Sequence, residues 1–132
     1  VTAPTGVSAL NIEGQTIHSL AGCGVPNIAQ DFNKAWGDVP KRRWRALDAL
    51  IIDEIGMVDA EFLDWLDMTV REIRKSSFDG GRRRGAAGAR ARAPFGGIQL
   101  IFCGDFLQLP PIEGRLNLNR NAPIVTNDVK VP

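Results

Sequence analysis

Apolar positions along the chain fall into two periods. Ala46, Leu47, Ala49, Leu50, Ile51 and Ile52 form a run broken only by Asp48 and ended by Asp53-Glu54. A short, bounded apolar run predicts a strand buried on both faces, as in a parallel sheet covered by helices. Gln99-Leu100-Ile101-Phe102-Cys103 predicts a second buried strand, which leaves through Gly104-Asp105-Phe106-Leu107-Gln108 and the stiff Pro110-Pro111. Between them Phe62, Leu66, Thr69, Val70 and Ile73 recur at helical spacing. Asp59 is the expected N-cap, Glu61 lies in the first turn, and Arg71, Arg74 and Lys75 lie near the end, so the charge order complements the dipole of a helix over about 60–75.

Upstream, Ile28, Ala29, Phe32, Ala35 and Trp36 also have helical spacing. Gly37-Asp38 breaks it, and Asp38 is expected to cap a second helix with Pro40 in its first turn. Lys41-Arg42-Arg43-Trp44-Arg45 has the look of a nucleic-acid patch. The better reading is a solvated basic face with Trp44 and Leu47 turned inward. The first dozen residues predict a strand end and a tight turn into a short helix, with Thr5, Gly6 and Ser8 placed to approach a phosphate chain or merely to start the helix. The sole histidine, His18, lies between Ile17 and Leu20 with no second metal ligand near in sequence.

Composition modifies this picture in one place. The chain has 132 residues, 44% hydrophobic and 23% charged, enough for one domain with a core. Its net charge of +1 conceals an asymmetry: residues 80–94 carry five arginines and no acid, leaving 11 basic against 15 acidic residues elsewhere. The remainder is therefore not a basic nucleic-acid platform, and any binding surface must be local. Residues 76–94, rich in Gly, Ala and Arg, predict a disordered surface insertion that either touches nucleic acid by charge or is a tolerated loop expansion. Cys23 and Cys103 lack metal-ligand spacing and point to thiols in a reducing compartment. No run reaches the roughly 18 apolar residues of a membrane span, no targeting segment is visible, and the first residue, Val1, suggests a cut through a longer protein.

The chemistry gathers at strand ends. In open α/β sheets ligands bind outside the carboxyl ends of the strands. If the two strands are parallel neighbours, they deliver Asp53, Glu54, Asp105 and Gln108 to one edge. Of two adjacent acids there, one can hold a divalent cation and the other can orient and deprotonate a water, as in the second nucleotide-binding motif of P-loop NTPases. The plainer alternative is a helix cap at Asp53 and a solvated Glu54.

Three stretches extend this into a resemblance. Ala3-Pro4-Thr5-Gly6-Val7-Ser8-Ala9 with Gly14-Gln15-Thr16-Ile17-His18-Ser19 resembles motif Ia of the Pif family of DNA helicases. Leu50-Ile51-Ile52-Asp53-Glu54-Ile55-Gly56-Met57-Val58 is similar to that family's motif II running into its signature stretch. Phe95 to Pro111 resembles motif III. The resemblance implies an α/β fold: an incomplete RecA-like P-loop NTPase domain, a parallel sheet flanked by helices, over residues 1–112, with 113–132 an unassigned tail. It further implies a superfamily-one motor that uses ATP and Mg²⁺ to move 5′-to-3′ along single-stranded DNA. Asp53 would hold Mg²⁺, Glu54 would activate water, and Gln108 would contact the γ-phosphate with Asp105 in support. Thr5, Gly6, Thr16 and His18 would lie at or near the DNA. Implied partners are single-stranded DNA and DNA junctions, with no membrane and a monomeric state. Implied roles are telomere maintenance, repair and recombination, inside the cell, in the nucleus or mitochondrion of a eukaryote.

Gly56 stands where the family usually has Ser, the arginine-rich insertion is longer than usual, and the tail departs from the family pattern. No G-x-x-x-x-G-K-[ST] phosphate loop occurs in the chain, so these residues alone are expected to hydrolyse little or no ATP. Two other readings stand beside the helicase: a P-loop ATPase without strand separation, and a non-catalytic truncated remnant.

Overall fold

Each strand of the central sheet is short, and each is fixed by a helix that begins or ends beside it. In the computed structural model, which describes residues 1–26, 29–75 and 93–105 and the backbone of 125–126 and 129–130, β1 (Thr2–Ala3) turns at once into α1 (Gly6–Asn11). β2 (Gln15–Thr16) runs directly into α2 (Ile17–Ala21). A 3-10 segment over Ala29–Trp36 and α3 (Asp38–Ala46) lead to β3 (Ala49–Ile52). A 3-10 turn at Ile55–Met57 precedes α4 (Ala60–Lys75). A second turn, Pro94–Gly97, precedes β4 (Gln99–Phe102). β5 (Val125–Thr126) and β6 (Val129–Lys130) pair antiparallel with each other.

The first four strands form one sheet in the order β2-β1-β3-β4, every pairing parallel. β3 and β4 match residue for residue, Ala49 with Gln99 through Ile52 with Phe102. The expected neighbouring parallel strands are therefore present. Two burial expectations fail, however. Leu50 and Ile52 are buried, but Ala49 is exposed and Ile51 only half-buried, so β3 is covered fully on one face. β4 is the last strand of the sheet among the described residues, and although Leu100 is half-buried against the core, Ile101 and Phe102 are 40% and 49% exposed. The reason is that the described helical elements pack their apolar residues on the Leu50–Ile52 side. That core joins Ile17 and Leu20 of α2, Phe32, Trp44 of α3, and Phe62, Trp65, Leu66, Val70 and Ile73 of α4. Phe32 stacks on Trp65, with ring centroids 3.3 Å apart.

α4 begins and ends as expected. Asp59 Oδ1 accepts from the amides of Glu61 (2.7 Å) and Phe62 (3.1 Å), the side-chain capping that a helix N-terminus needs. Two other details differ from expectation. Residues 29–36 form a 3-10 rather than an α-helix, and the N-cap of α3 is Gly37, not Asp38, which sits inside the helix. The basic run of α3 is structural. Trp44 is fully buried, Arg43 Nη1 donates to the carbonyls of Ser19 (2.8 Å) and Leu20 (2.9 Å) near the end of α2, and Lys41 lies over the Trp36 ring. Arginine thus adds donors to the carbonyls of a helix end, where intrahelical partners run out. Of the insertion expected at 76–94, residues 76–92 lie outside the described residues, as do 106–112 and all of the 113–132 tail but the backbone of 125–126 and 129–130.

Candidate active site

Parallel strands send their carboxyl ends to the same side, so the order of the sheet decides what meets there. β1 exits at Pro4-Thr5-Gly6, β2 at Thr16–His18, β3 at Asp53-Glu54 and β4 at Cys103-Gly104-Asp105. The edge is laced by backbone hydrogen bonds. Asp53 N donates to Thr2 O (2.8 Å), Cys103 N to Ile52 O (2.9 Å) and Ile55 N to Cys103 O (2.9 Å). Thr2, which sequence reasoning passed over, also donates its hydroxyl to Ile51 O at 2.9 Å and is buried. It thereby ties the strand ahead of the Thr5 turn to the strand that carries Asp53. Its only signal in the sequence was a β-branched polar residue in the strand end that opens the chain.

Asp53 and Glu54 are both half-buried. Glu54 adopts φ 51°, ψ 44°, the left-handed region that a residue with a Cβ enters only at a cost. Such outliers persist where the surroundings impose them, and they concentrate at functional sites. Gly104 explains how the β4 exit comes so close: its φ is +150°, and a Cβ there would lie 2.9 Å from Ile55 N and 3.3 Å from Glu54 Cα. The backbones of Glu54 and Gly104 are therefore neighbours, and the Asp105 carbonyl lies beside Gly56. Among the described residues no group of three or more His, Cys, Asp or Glu could by itself hold a metal ion. Gln108 lies outside the described residues.

The candidate DNA contacts divide in a different way. Thr5 Oγ1 accepts from Ser8 N (3.1 Å) and donates to Ser8 Oγ (2.9 Å), capping α1. Thr16 Oγ1 accepts from Ser19 N (3.1 Å), capping α2. Both threonines thus have helix-starting roles in hand, while Gly6 is exposed at the turn between them and the strand edge. His18 is half-buried, with its ring centroid 4.7 Å from that of Phe62, and burial holds its pKa below the ordinary value, so the ring is neutral at pH 7. Cys23 is buried and its thiol is pushed up to about 11 by that burial, whereas Cys103 is exposed at the edge; both are free. No helix among the described residues is long and apolar enough to cross a membrane.

Comparison with known proteins agrees with this arrangement. The family described as PIF1-like helicase matches residues 1–127, a span that includes most of the stretch the sequence left unassigned. The ATP-dependent DNA helicase PIF1 of Saccharomyces cerevisiae is 48% identical over 118 residues, covering 86% of this chain and 12% of the relative. The Danio rerio protein of the same name is 46% identical over 113 residues, covering 84% of this chain and 15% of the relative. Among solved structures, the Pif1 helicase of Candida albicans superposes with a TM-score of 0.61 at 43% identity, covering 85% of this chain and 23% of that one. The Bacteroides Pif1 in complex with ADP-AlF3 and single-stranded DNA gives 0.65 at 34% identity, with 86% and 23% covered. The chain thus spans a small part of the length of these relatives. With the family model matching residues 1–127 and the parallel sheet superposing on solved Pif1 helicases, this chain belongs to the PIF1-like helicase family.

Proposed function

We propose that this chain is part of the motor domain of an ATP-dependent DNA helicase. The observation that carries the reading is the convergence of Asp53, Glu54 and Asp105 at one carboxyl edge of a parallel sheet, in a chain of this family. Asp53 would hold Mg²⁺. One carboxylate suits that ion, which takes most of its other ligands from water and substrate phosphates. Bound Mg²⁺-ATP supplies the phosphoryl group that hydrolysis releases. Glu54 orients the attacking water and accepts its proton, Gln108 contacts the γ-phosphate, and Asp105 supports it. Thr5, Gly6, Thr16 and His18 lie along the single strand, the two threonines acting through the helix starts they cap and His18 as a neutral, partly exposed ring.

The motor moves 5′-to-3′ as a monomer on single-stranded DNA and DNA junctions. It serves telomere maintenance, repair and recombination in the nucleus or mitochondrion. These 132 residues include no phosphate loop of the G-x-x-x-x-G-K-[ST] type and by themselves should hydrolyse little ATP. The test is ATP hydrolysis by the full-length protein with and without single-stranded DNA, alongside unwinding of partial duplexes carrying a 5′ or a 3′ tail. Strong DNA stimulation and opening of only the 5′-tailed duplex are expected. Unstimulated hydrolysis would overturn the helicase reading, and opening of only the 3′-tailed duplex would overturn the polarity.

A further inference from the structure

Arg74 is the feature that the site above does not use. It stands in the last turn of α4 and is 5% exposed, although its charge alone would place it in water. Its guanidinium joins three separate segments. Nη1 donates to the carbonyls of Trp44 (2.6 Å), Leu47 (2.9 Å) and Arg45 (3.3 Å), and Nε donates to Gly96 O (3.0 Å). Trp44, Arg45 and Leu47 belong to the end of α3, where carbonyls lack helical partners and a cation is favoured. Gly96 belongs to the turn that starts β4. Its φ of +59° and its lack of a side chain are both required, since a Cβ there would meet Arg74 Cδ at 2.8 Å. The same turn holds Phe95 at φ 50° and fastens its amide to Asp67 Oδ1 on α4, an oxygen that also accepts from Arg71 Nε.

These contacts sit at the entries of β3 and β4. One residue after Leu47, Asp48 O accepts from Gln99 N (2.9 Å), and the residue-for-residue match of the two strands follows. Five residues on from Asp48, about 17 Å away at the rise of a strand, is Asp53, followed by Glu54, and Asp105 lies six residues on from Gln99. A shift at the entry reaches the exits, because the ladder between β3 and β4 runs unbroken from Gln99 N on Asp48 O to Cys103 N on Ile52 O and Ile55 N on Cys103 O.

We propose that Arg74 is a positioning residue for hydrolysis: by clamping the end of α3 and the Gly96 turn onto α4, it sets the register in which β3 and β4 present Asp53, Glu54 and Asp105. The proposal rests on the ATPase reading given above. A lysine cannot reproduce it, since one ammonium lacks the planar fork that spans Gly96 and the α3 carbonyls together.

The test compares Arg74→Lys with the unaltered full-length protein, well below the melting temperature and per folded molecule. Arg74→Gln, which keeps a neutral two-donor head, runs in parallel and carries the test if the lysine variant does not fold. Three readouts are taken: kcat for DNA-stimulated ATP hydrolysis, the Kd for ATP, and hydrogen exchange at the Cys103 and Ile55 amides. The expected result is a fall in kcat of about tenfold or more with ATP affinity nearly unchanged, and faster exchange at both amides. Asp67→Asn, which keeps the acceptor for Phe95 N, should leave kcat within about twofold. A lowered melting temperature with kcat per folded molecule and both amides unchanged would make Arg74 a stabilising residue only, and would overturn the proposal. The amide readout reports the register whether or not Glu54 is the base, so failure of the clamp and failure of the ATPase reading are distinguishable.

Discussion

Replacing Glu54 by glycine should make the protein more stable while it stops ATP hydrolysis. Glu54 is held at φ 51°, ψ 44°, and among the described residues its half-buried carboxylate shows no hydrogen bond. The left-handed conformation costs a residue with a Cβ roughly 1–2 kcal/mol. Glycine removes that cost but adds about 0.5–1 kcal/mol of unfolded-state entropy. The net expectation for Glu54→Gly is a gain of about 0.5–1 kcal/mol, or a rise of roughly 0.3–0.5 M in the urea midpoint at an ordinary slope. Glu54→Gln keeps the backbone strain and should leave the midpoint unchanged. Both variants lose the group proposed to take the proton from water, and removal of a general base typically lowers the rate about 10²–10⁴-fold. The assay pairs urea unfolding with DNA-stimulated ATP turnover and ATP affinity in the full-length protein. A lower midpoint in Glu54→Gly would show that the side chain stabilises the fold rather than straining it. Near-normal turnover with intact ATP binding in Glu54→Gln would refute the assigned base.

Asp59→Ala strips the acceptor from two amides at the start of α4 and should cost about 1 kcal/mol, read as a fall of a few degrees in melting temperature. His18 should make stability fall in mild acid. Its folded pKa lies below the unfolded value of 6.5, so the unfolded chain takes the proton first, and the stability of the neutral form, complete above that value, is lost as pH drops through it. Melting temperatures of the unaltered protein and of His18→Phe across about pH 7.5 to 5.5 should therefore diverge at the acid end. Replacing residues 79–92 with a short Gly-Ser linker should move the melting temperature by no more than about 2 °C, since Arg74 on Gly96 and Asp67 on Phe95 already close the base of that segment; a large drop would show that the segment packs on the domain.

How much of this was legible in the chain differs from element to element. Local rules sufficed for α4, because a cap at Asp59, a helical apolar stripe and a basic end all act within one element. They also sufficed for the strands ending at Ile52 and Phe102, whose apolar runs stop at acids or glycine. The family motifs added the expected parallel sheet. Burial was another matter: Leu50 and Ile101 look alike in sequence, yet one is in the core and the other is exposed on the outermost described strand, because burial depends on what packs opposite. The roles of single polar residues were equally non-local. Nothing beside Arg74 in sequence says that its partners lie at Trp44, Leu47 and Gly96, and nothing beside Glu54 says that the approach of Gly104 crowds its backbone. Sequence alone determined the short helix α1, the helices α3 and α4, the strands β3 and β4 and which acids would stand at their ends, since propensity, capping and periodicity are properties of neighbours along the chain, but it did not give β2 or α2. Only the tertiary structure decided the one-sided core, the exposure of Ile101 and Phe102 and the buried arginine, since these arise from contacts between residues far apart in sequence.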